Sequence, residues 1–488
     1  MIAVQTKIHD KFSLEFKVLY KAQRKAKSSD FYLDTWLFVP NSLDINPSTY
    51  KREDFYKDIR TNTRLITPVF LLRDIVDNGG IPINNLQQAM QQMASKPTKS
   101  HNAEYEYQIK MFAAIYKSAL RDQINYIHEH DSEKEKTSLI EMLLIDIDNI
   151  LNKYRALHTI IKAPTVSENL YNYYNFGDEF MCNLTEKELF KLCERIKKDF
   201  KNTDLSNKTL SLVIDLLENE KKHKQKKRYL KVKPDSENKN SDLVFRLGAL
   251  KKFIESDLFL KANKKRDGVI VEQVYFSIAA GISMIFATAI AFSFQIQYGN
   301  FTMPLFVALV VSYMLKDRIK ELMRYYLAQK ISRKHYDNKI EIAVKDKIVG
   351  ISKEVFDFIK EDNVPSEVLK TRNRIPLIEA ENRYAKEKII LYRKSMRIFR
   401  DELNNATTYD LDGVAEIIRL NFQSFMRKAD NPEVQLFALN ENNELEKITG
   451  KKNYYINIIL SYNKDNDKII TRYRVGFNRN GIESITKM

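Results

Sequence analysis

The sequence predicts an α-helical integral membrane protein with α+β cytoplasmic domains, built on a central two-helix transmembrane hairpin and ending in a C-terminal antiparallel β-meander. Three observations lead to that expectation. Residues 273–315 (QVYFSIAAGISMIFATAIAFSFQIQYGNFTMPLFVALVVSYML) contain no Asp, Glu, Lys or Arg. Lys and Arg crowd both flanks of this stretch and are absent from its middle. Residues 434–485 break into short β-rich runs separated by Asn- and Asp-rich turns.

The apolar stretch is about 43 residues long, where one span needs about 20. Gln295, Gln297, Tyr298, Gly299, Asn300, Thr302 and Pro304 interrupt it. Two helices over residues 274–294 and 301–315 are expected, joined by a very short turn. The alternative is a buried hairpin of a soluble core, but such hairpins usually carry charges at their ends and middle. Lys251, Lys252, Lys261, Lys264, Lys265 and Arg266 precede the stretch, and Lys316, Arg318, Lys320, Arg324, Lys330, Arg333 and Lys334 follow it. Cytoplasmic flanks carry the Lys/Arg excess. Both termini are therefore expected in the cytoplasm, with a multi-pass anchor in the inner (cytoplasmic) membrane. Tyr275, Tyr298 and Tyr313 stand where interfacial aromatics belong. The opening residues 1–16 lack an apolar core, so no signal peptide is expected, and the hairpin itself would direct insertion.

The expected organisation has five parts. Residues 1–233 form an N-terminal cytoplasmic domain, and 234–268 a linker with a pre-membrane helix. Residues 269–315 are the hairpin, 316–403 a long cytoplasmic helix with further helices, and 404–488 a helix-plus-sheet domain. At the start, residues 12–20 alternate, with Phe12, Leu14, Phe16, Val18 and Tyr20 on one face. Residues 31–39, which hold Trp36, form a second β-rich run, and the two read as a β-hairpin. Asn78, Gly79 and Gly80 mark a turn.

Helical spacing follows over 84–94, 104–128, 137–157 and 204–227, with Thr185 and Glu188 reading as a helix start. Residues 234–242 (PDSENKNSD) read as a linker, and 243–261 as an amphipathic helix leading to the membrane. No Gly or Pro occurs between Leu305 and Val349, so the second span is expected to continue as a helix, with a possible break at 335–338. Helices are also expected at 352–361, 366–372, 377–403 and 411–428. Strands are expected at 434–439, 444–448, 454–462, 468–477 and 482–485.

The chain has 488 residues, 30% of them charged, and a formal net charge of +16. A basic protein at a membrane face has two natural anionic partners, lipid headgroups and nucleic acid. The two cysteines, Cys182 and Cys193, read as core or surface thiols. The sequence has no phosphate-cradling glycine loop, nucleophile elbow or paired CxxC, and only 12 glycines. His128, Glu129, His130 and Asp131 lack the spacing that sets two ligands on one helical face. No catalytic residue, metal site or cofactor is expected, and the chain does not read as an enzyme.

Three constellations remain. Ala279, Ser283, Ala287 and Ala291 recur every four residues, a small-residue line that lets helix backbones approach. Gln273, Ser277, Gly281, Thr288 and Gln295 form a polar line that would face a bundle axis and line a pore. Alternatively, its hydroxyls bond back to their own helix. Glu272 would add a carboxylate ring at the cytoplasmic mouth. Finally, Lys221, Lys222, Lys224, Lys226, Lys227, Arg228, Tyr229, Lys231 and Lys233 would bind a polyanion. The alternatives are a solvated helix end or attraction to anionic lipid.

In organisation, the central 273–315 hairpin with basic cytoplasmic parts on either side resembles the membrane effectors of bacterial anti-phage defence. It is most similar to the effector of Hailong-type defence. The resemblance covers architecture, and no functional residue of that family is carried over. It implies a homo-oligomer, a tetramer among the options, that forms a channel held shut by single-stranded DNA oligomers made by a partner nucleotidyltransferase. The expected function is thus a ligand-gated ion-conducting pore regulated by an anionic ligand such as single-stranded nucleic acid or a nucleotide. The competing expectation is a non-conducting anchor or scaffold.

Overall fold

The computed structural model describes residues 1–23, 26–77, 79–130, 132–199, 204–233, 240–332, 336–377, 379–380, 386–439, 444–464 and 467–488. Asn78 of the expected turn, Asp131, the bulk of the expected linker (234–239) and His335 of the expected helix break lie outside them. So do parts of the turns at 440–443 and 465–466. The chain divides into two compact units, and they do not follow the expected boundaries at 233 and 404. The first unit joins Met1–Arg64, Leu260–Thr408 and Asp412–Met488; the second is Leu65–Phe259 with Tyr409–Leu411.

The first unit holds the β-structure and, between its third and fourth strands, helix α1 (Arg52–Asp58). Its strands are β1 (Ile2–Asp10), β2 (Ser13–Lys21), β3 (Ser28–Val39), β4 (Ile59–Leu65), β5 (Lys261–Arg266), β6 (Asn338–Val344) and β7 (Lys347–Ile359). They continue as β8 (Lys388–Phe399), β9 (Gly413–Asn421), β10 (Glu433–Leu439), β11 (Leu445–Lys451), β12 (Tyr454–Lys464), β13 (Asp467–Asn478) and β14 (Gly481–Lys487). Eight strands run in the order β14-β13-β12-β3-β8-β7-β6-β5, four in the order β1-β2-β9-β4, and β10 pairs with β11 alone. The two larger sheets face each other over a shared interior. Val4, Phe16, Ile418 and Leu420 come from one side and Leu33, Leu37, Tyr392 and Leu460 from the other. The opposite face of the eight-stranded sheet carries Trp36, Phe38, Ile389, Leu391 and Ile459, which pack under Val364 and Val368.

The interior also contains charge. Lys394 and Glu416 are each 1% exposed and form an ion pair between the two sheets. Tyr20 donates to Glu416 at 3.2 Å. Glu354 stands opposite Lys394 in the β7–β8 register. It accepts from the Tyr392 hydroxyl at 2.7 Å and pairs with Lys264 at 2.6 Å. Burial opposes ionisation of Glu354, but Lys394 and Lys264 outweigh it and hold the carboxyl below its usual value.

These inward charges explain three corrections. The helices expected at 352–361, 377–403 and 411–428 are in fact strands β7, β8 and β9, with short helices at Arg400–Asn405 and Gln423–Met426. In each strand an inward position is occupied by Glu354, Lys394 or Glu416 rather than an apolar residue, so the period-two apolar signal is broken. The expected N-terminal β-hairpin is corrected as well. Its strands are real, but β2 pairs with β1 and β9, while β3 pairs with β8 and β12 in the other sheet. The C-terminal antiparallel meander is present as β12-β13-β14. It packs against α11 (Ser366–Arg372), a helix expected from the sequence.

The second unit is helical: α2 (Ile81–Ser95), α3 (Lys99–Glu129), α4 (Glu133–Ala156), α5 (His158–Ile161), α6 (Glu168–Asp199), α7 (Asp204–Lys227) and α8 (Ser241–Glu255). Thr185 does not start a helix. It is buried inside α6, where its hydroxyl donates to Met181 O at 2.9 Å and meets the Tyr116 hydroxyl at 2.6 Å. The expected pre-membrane helix is α8, which is part of this bundle through Leu243, Leu250, Ile254 and an Arg246–Glu179 ion pair at 2.6 Å. The segment that leads to the hairpin is strand β5.

Removing one member of a buried pair leaves the other charge uncompensated. Lys394→Ala should therefore destabilise the solubilised protein by about 3–5 kcal/mol. Arg397→Ala, which removes an exposed pair with Asp30, should cost less than about 1 kcal/mol. Chemical denaturation would compare the two, and equal losses would remove Lys394–Glu416 from the core.

Candidate membrane hairpin and basic surfaces

Two long helices, α9 (Val269–Tyr298) and α10 (Met303–Ser332), leave and return to one edge of the eight-stranded sheet. β5 enters α9 and α10 returns toward β6, and β5 and β6 pair with each other from Lys261↔Ala343 to Arg266↔Asn338. Gly268, at φ 74, turns the chain from β5 into α9, a left-handed conformation that favours glycine.

The base of the hairpin is tied to the sandwich. Asp337, its side chain 6% exposed, accepts from Phe356 N and the Tyr56 hydroxyl, both at 2.9 Å, and pairs with Arg52 at 2.9 Å. Asp267 N donates to Asp337 O at 3.2 Å, and Asp267 pairs with Lys353 at 3.0 Å. Glu272 pairs with Arg266 at 3.0 Å, and Lys265 with Glu341 at 3.1 Å.

α9 is long and apolar enough to cross a membrane, and only 11% of its apolar window is buried. A core hairpin of a soluble domain would be mostly covered. Ile270, Ile285 and Ile296 are instead widely exposed, as are Phe306 and Met314 on α10. Among the described residues α9 alone qualifies as a span. The apolar part of α10 ends at Leu315, which makes it about 20 Å long at 1.5 Å per residue, short of the roughly 30 Å hydrocarbon core. α10 continues to Ser332 and then gives way to β6, so the long cytoplasmic helix of the sequence expectation is shorter and runs into a sheet.

The small-residue line faces the partner helix. Ala279 and Ser283 are buried, Ala287 and Ala291 half-buried, and the Ser312 hydroxyl donates to Ala287 O at 3.2 Å. On α10, buried Ala308 and Ser312 complete the contact with the same four-residue spacing, a signal present in the sequence but not read from it.

The polar line lies on another face. Gln273, Ser277, Gly281 and Gln295 are exposed and Thr288 is half-buried. Ser277 donates to Gln273 O at 2.9 Å, Thr288 to Met284 O at 2.8 Å, and Gln295 to Asn300 Oδ1 at 2.8 Å. A Cβ added at Gly281 would meet nothing within 4 Å. At about 100° per residue the packing and polar lines diverge, and Ile278, Ile282 and Ile285 fill a third, apolar face.

Ser312 sits against Ala287, and the Arg324 guanidinium lies over the Phe276 ring at 5.2 Å. Lys316 is therefore level with the middle of α9, and Asp317, Arg318, Lys320 and Glu321 run beside it from there toward its N-terminal third.

The basic run at 221–233 is divided by the fold. Lys224 is buried and paired with Glu186, and the Tyr229 hydroxyl donates to Asp178 at 2.9 Å. Asp178 also bonds His223 at 2.8 Å and Arg155 at 3.1 Å, and Arg155 reaches Glu220 at 2.7 Å. Burial opposes ionisation of Asp178, but these partners hold its carboxyl below its usual value. Lys224 and Tyr229 thus serve the bundle. Lys221, Lys222, Lys226, Arg228, Lys231 and Lys233 are exposed, and Lys227 is half-buried.

Cys182 is buried and Cys193 half-buried, both free. Among the described residues no cluster of His, Cys, Asp and Glu could hold a metal ion. No protein family, curated protein or solved structure matches the chain.

Ser283→Leu inserts bulk into a packed helix contact and should lower stability by about 1–3 kcal/mol. Gly281→Leu enters open space and should leave thermal unfolding of the solubilised chain unchanged. Equal melting shifts would mean that the helices do not meet at Ser283.

Proposed function

We propose that the chain is a homo-oligomeric membrane effector whose α9–α10 hairpin forms an ion-conducting pore, controlled by an anionic ligand on its cytoplasmic units. The setting is the bacterial anti-phage defence implied by the architectural resemblance. The reading rests on an apolar helical hairpin left largely uncovered by the other described residues. In this reading both helices cross the inner membrane, α10 making up its short apolar length at the interface, and both termini are cytoplasmic.

The charged segment of α10 supports a pore over a simple anchor. Charges beside the middle of a spanning helix avoid hydrocarbon by facing a water-filled axis, and one hairpin cannot enclose water. Several copies around an axis would place Lys316 to Glu321 in an aqueous vestibule, with Gly281 and Thr288 further in. A second reading, a non-conducting anchor, is favoured by the Ser277 and Thr288 hydroxyls, which are satisfied within their own helix.

Protein reconstituted in dye-loaded liposomes separates these readings. Wild type should conduct, Thr288→Leu should abolish flux by narrowing and dewetting the axis, and Phe286→Leu should have little effect. Identical flux from wild type and Thr288→Leu would remove α9 from the pore lining, and no flux with any anionic ligand would favour the anchor.

Topology has its own check. Cysteine at Gln297 or Asn300 should react with an impermeant thiol reagent from outside the cell, whereas cysteine at Lys264 should not. The reverse pattern would invert the orientation.

A further inference from the structure

The end of the eight-stranded sheet away from the hairpin carries a concentration of cationic groups. Along β13, Tyr473, Val475 and Phe477 are buried, which places Arg472 and Arg474 together on the opposite face, the one covered by α11. Arg372, in the last turn of α11, joins them, and with Glu387, Tyr455 and Asn457 they line a cavity of about 220 Å³.

Positive charge there exceeds negative. Glu387 is already bonded to Arg372 at 2.6 Å and Arg374 at 3.1 Å. Arg472 donates to Asn457 Oδ1 at 3.1 Å and Thr371 O at 3.5 Å. Arg474 lies over the Tyr455 ring at 4.0 Å. Among the described residues neither Arg472 nor Arg474 forms an ion pair with a carboxylate. Arg372 is 3% exposed, and its buried Nε has no hydrogen-bond partner. Burial and the neighbouring charges of Arg372 and Arg474 hold the Arg472 guanidinium below its ordinary value. Glu387 offsets Arg372, and Arg472 and Arg474 add positive charge that no carboxylate pairs among the described residues, an excess that a bound anion would relieve.

The cavity also has a flat wall. Tyr455 pairs across the strands with Gly476, where an added Cβ would come within 3.1 Å of the ring and 2.7 Å of Ser484 Oγ. Glycine at that position lets the Tyr455 ring lie across β13. Asn373 and Asn453 supply amides at the rim.

We infer that this cavity binds a phosphomonoester carrying a planar ring, the chemistry of a nucleoside monophosphate. The phosphate sits among Arg372, Arg472 and Arg474, whose planar forks match phosphate oxygens. Arg474, which lies over the Tyr455 ring, would swing onto the phosphate and free that face for the ligand's ring, and the amides of Asn373 and Asn453 would hydrogen-bond its edge. Arg372 anchors α11 through Glu387, so occupancy would also tie the helix to β13. Only the consequence of binding rests on the ligand-controlled pore; occupancy needs no pore. The eight-stranded sheet joins the cavity to the hairpin base, about 25 Å away at the strand spacing.

Calorimetric titration of the full solubilised chain with adenosine 5′-monophosphate, inorganic phosphate and adenosine tests this. The monophosphate should bind saturably, phosphate about tenfold more weakly, and adenosine more weakly still. Arg474→Gln should weaken the monophosphate and phosphate alike by about tenfold, the weight of one hydrogen bond to a charged group. Tyr455→Ala should reduce monophosphate binding to the level of phosphate and leave phosphate unchanged. Thermal unfolding of both variants, expected to match wild type, shows that they are folded. Lys134→Glu, an exposed position in the other unit, should leave binding as in wild type. No monophosphate binding into the millimolar range, or binding indifferent to Arg474→Gln, would overturn the assignment. Binding with no flux in liposomes would support the cavity and count against the pore alone; flux without binding would do the opposite.

Discussion

The buried pairing of Lys394 with Glu416 is the contact on which the first unit is organised. Each is carried by a different sheet, so the pair fixes how the sheets face each other as well as the strand register. A charge one position out of register would point away from its partner, because successive strand residues face opposite sides. Glu354 extends the network along the sheet to Lys264 on β5, the strand that enters the hairpin. Two buried carboxylates and the buried Lys394 thus lead to the half-exposed Lys264 near the root of α9.

That root determines how the hairpin can behave. β5 is the edge strand and pairs with β6, the strands next to α9 and α10 in the chain, and Asp337 and Asp267 tie the junction to the sandwich. The two helices therefore share one rigid base, and a displacement of that sheet edge would reach both. Their packing uses small residues on both sides, which leaves the large apolar side chains outward and the polar line of α9 to one side. The charges of α10 that run beside α9 from its middle toward its N-terminal third are the feature that a lipid-surrounded hairpin accommodates least. In the proposed pore they acquire water.

Charge density in the sequence and charge available to a ligand differ in this molecule. The run at 221–233 is the densest, yet Lys224 and Tyr229 are committed to partners within the bundle. Arg372, Arg472 and Arg474 are sparse in the sequence, and the fold gathers them in one cavity. Alternation along β13, with Arg472 and Arg474 between buried Tyr473, Val475 and Phe477, was a sequence-level hint of a shared face. Arg372 comes from a different element, and nothing in its local sequence places it there.

Local patterns were enough wherever one physical signal dominated. The uncharged stretch specified α9 and the start of α10, helical periodicity specified α2, α3, α4 and α7, and turn residues specified β10 to β14. They also marked Ala279, Ser283, Ala287 and Ala291 as a packing line, because residues four apart share a helix face. Pairing between distant segments was decided in the tertiary structure. β2 and β3 look like neighbours in sequence and belong to different sheets. β7, β8 and β9 read as helical because Glu354, Lys394 and Glu416 occupy core positions where an apolar residue would have revealed a strand. A buried charge is tolerable only when its partner is in place, and each partner here lies on another strand, so the reason these residues are inside exists only once the chain has folded.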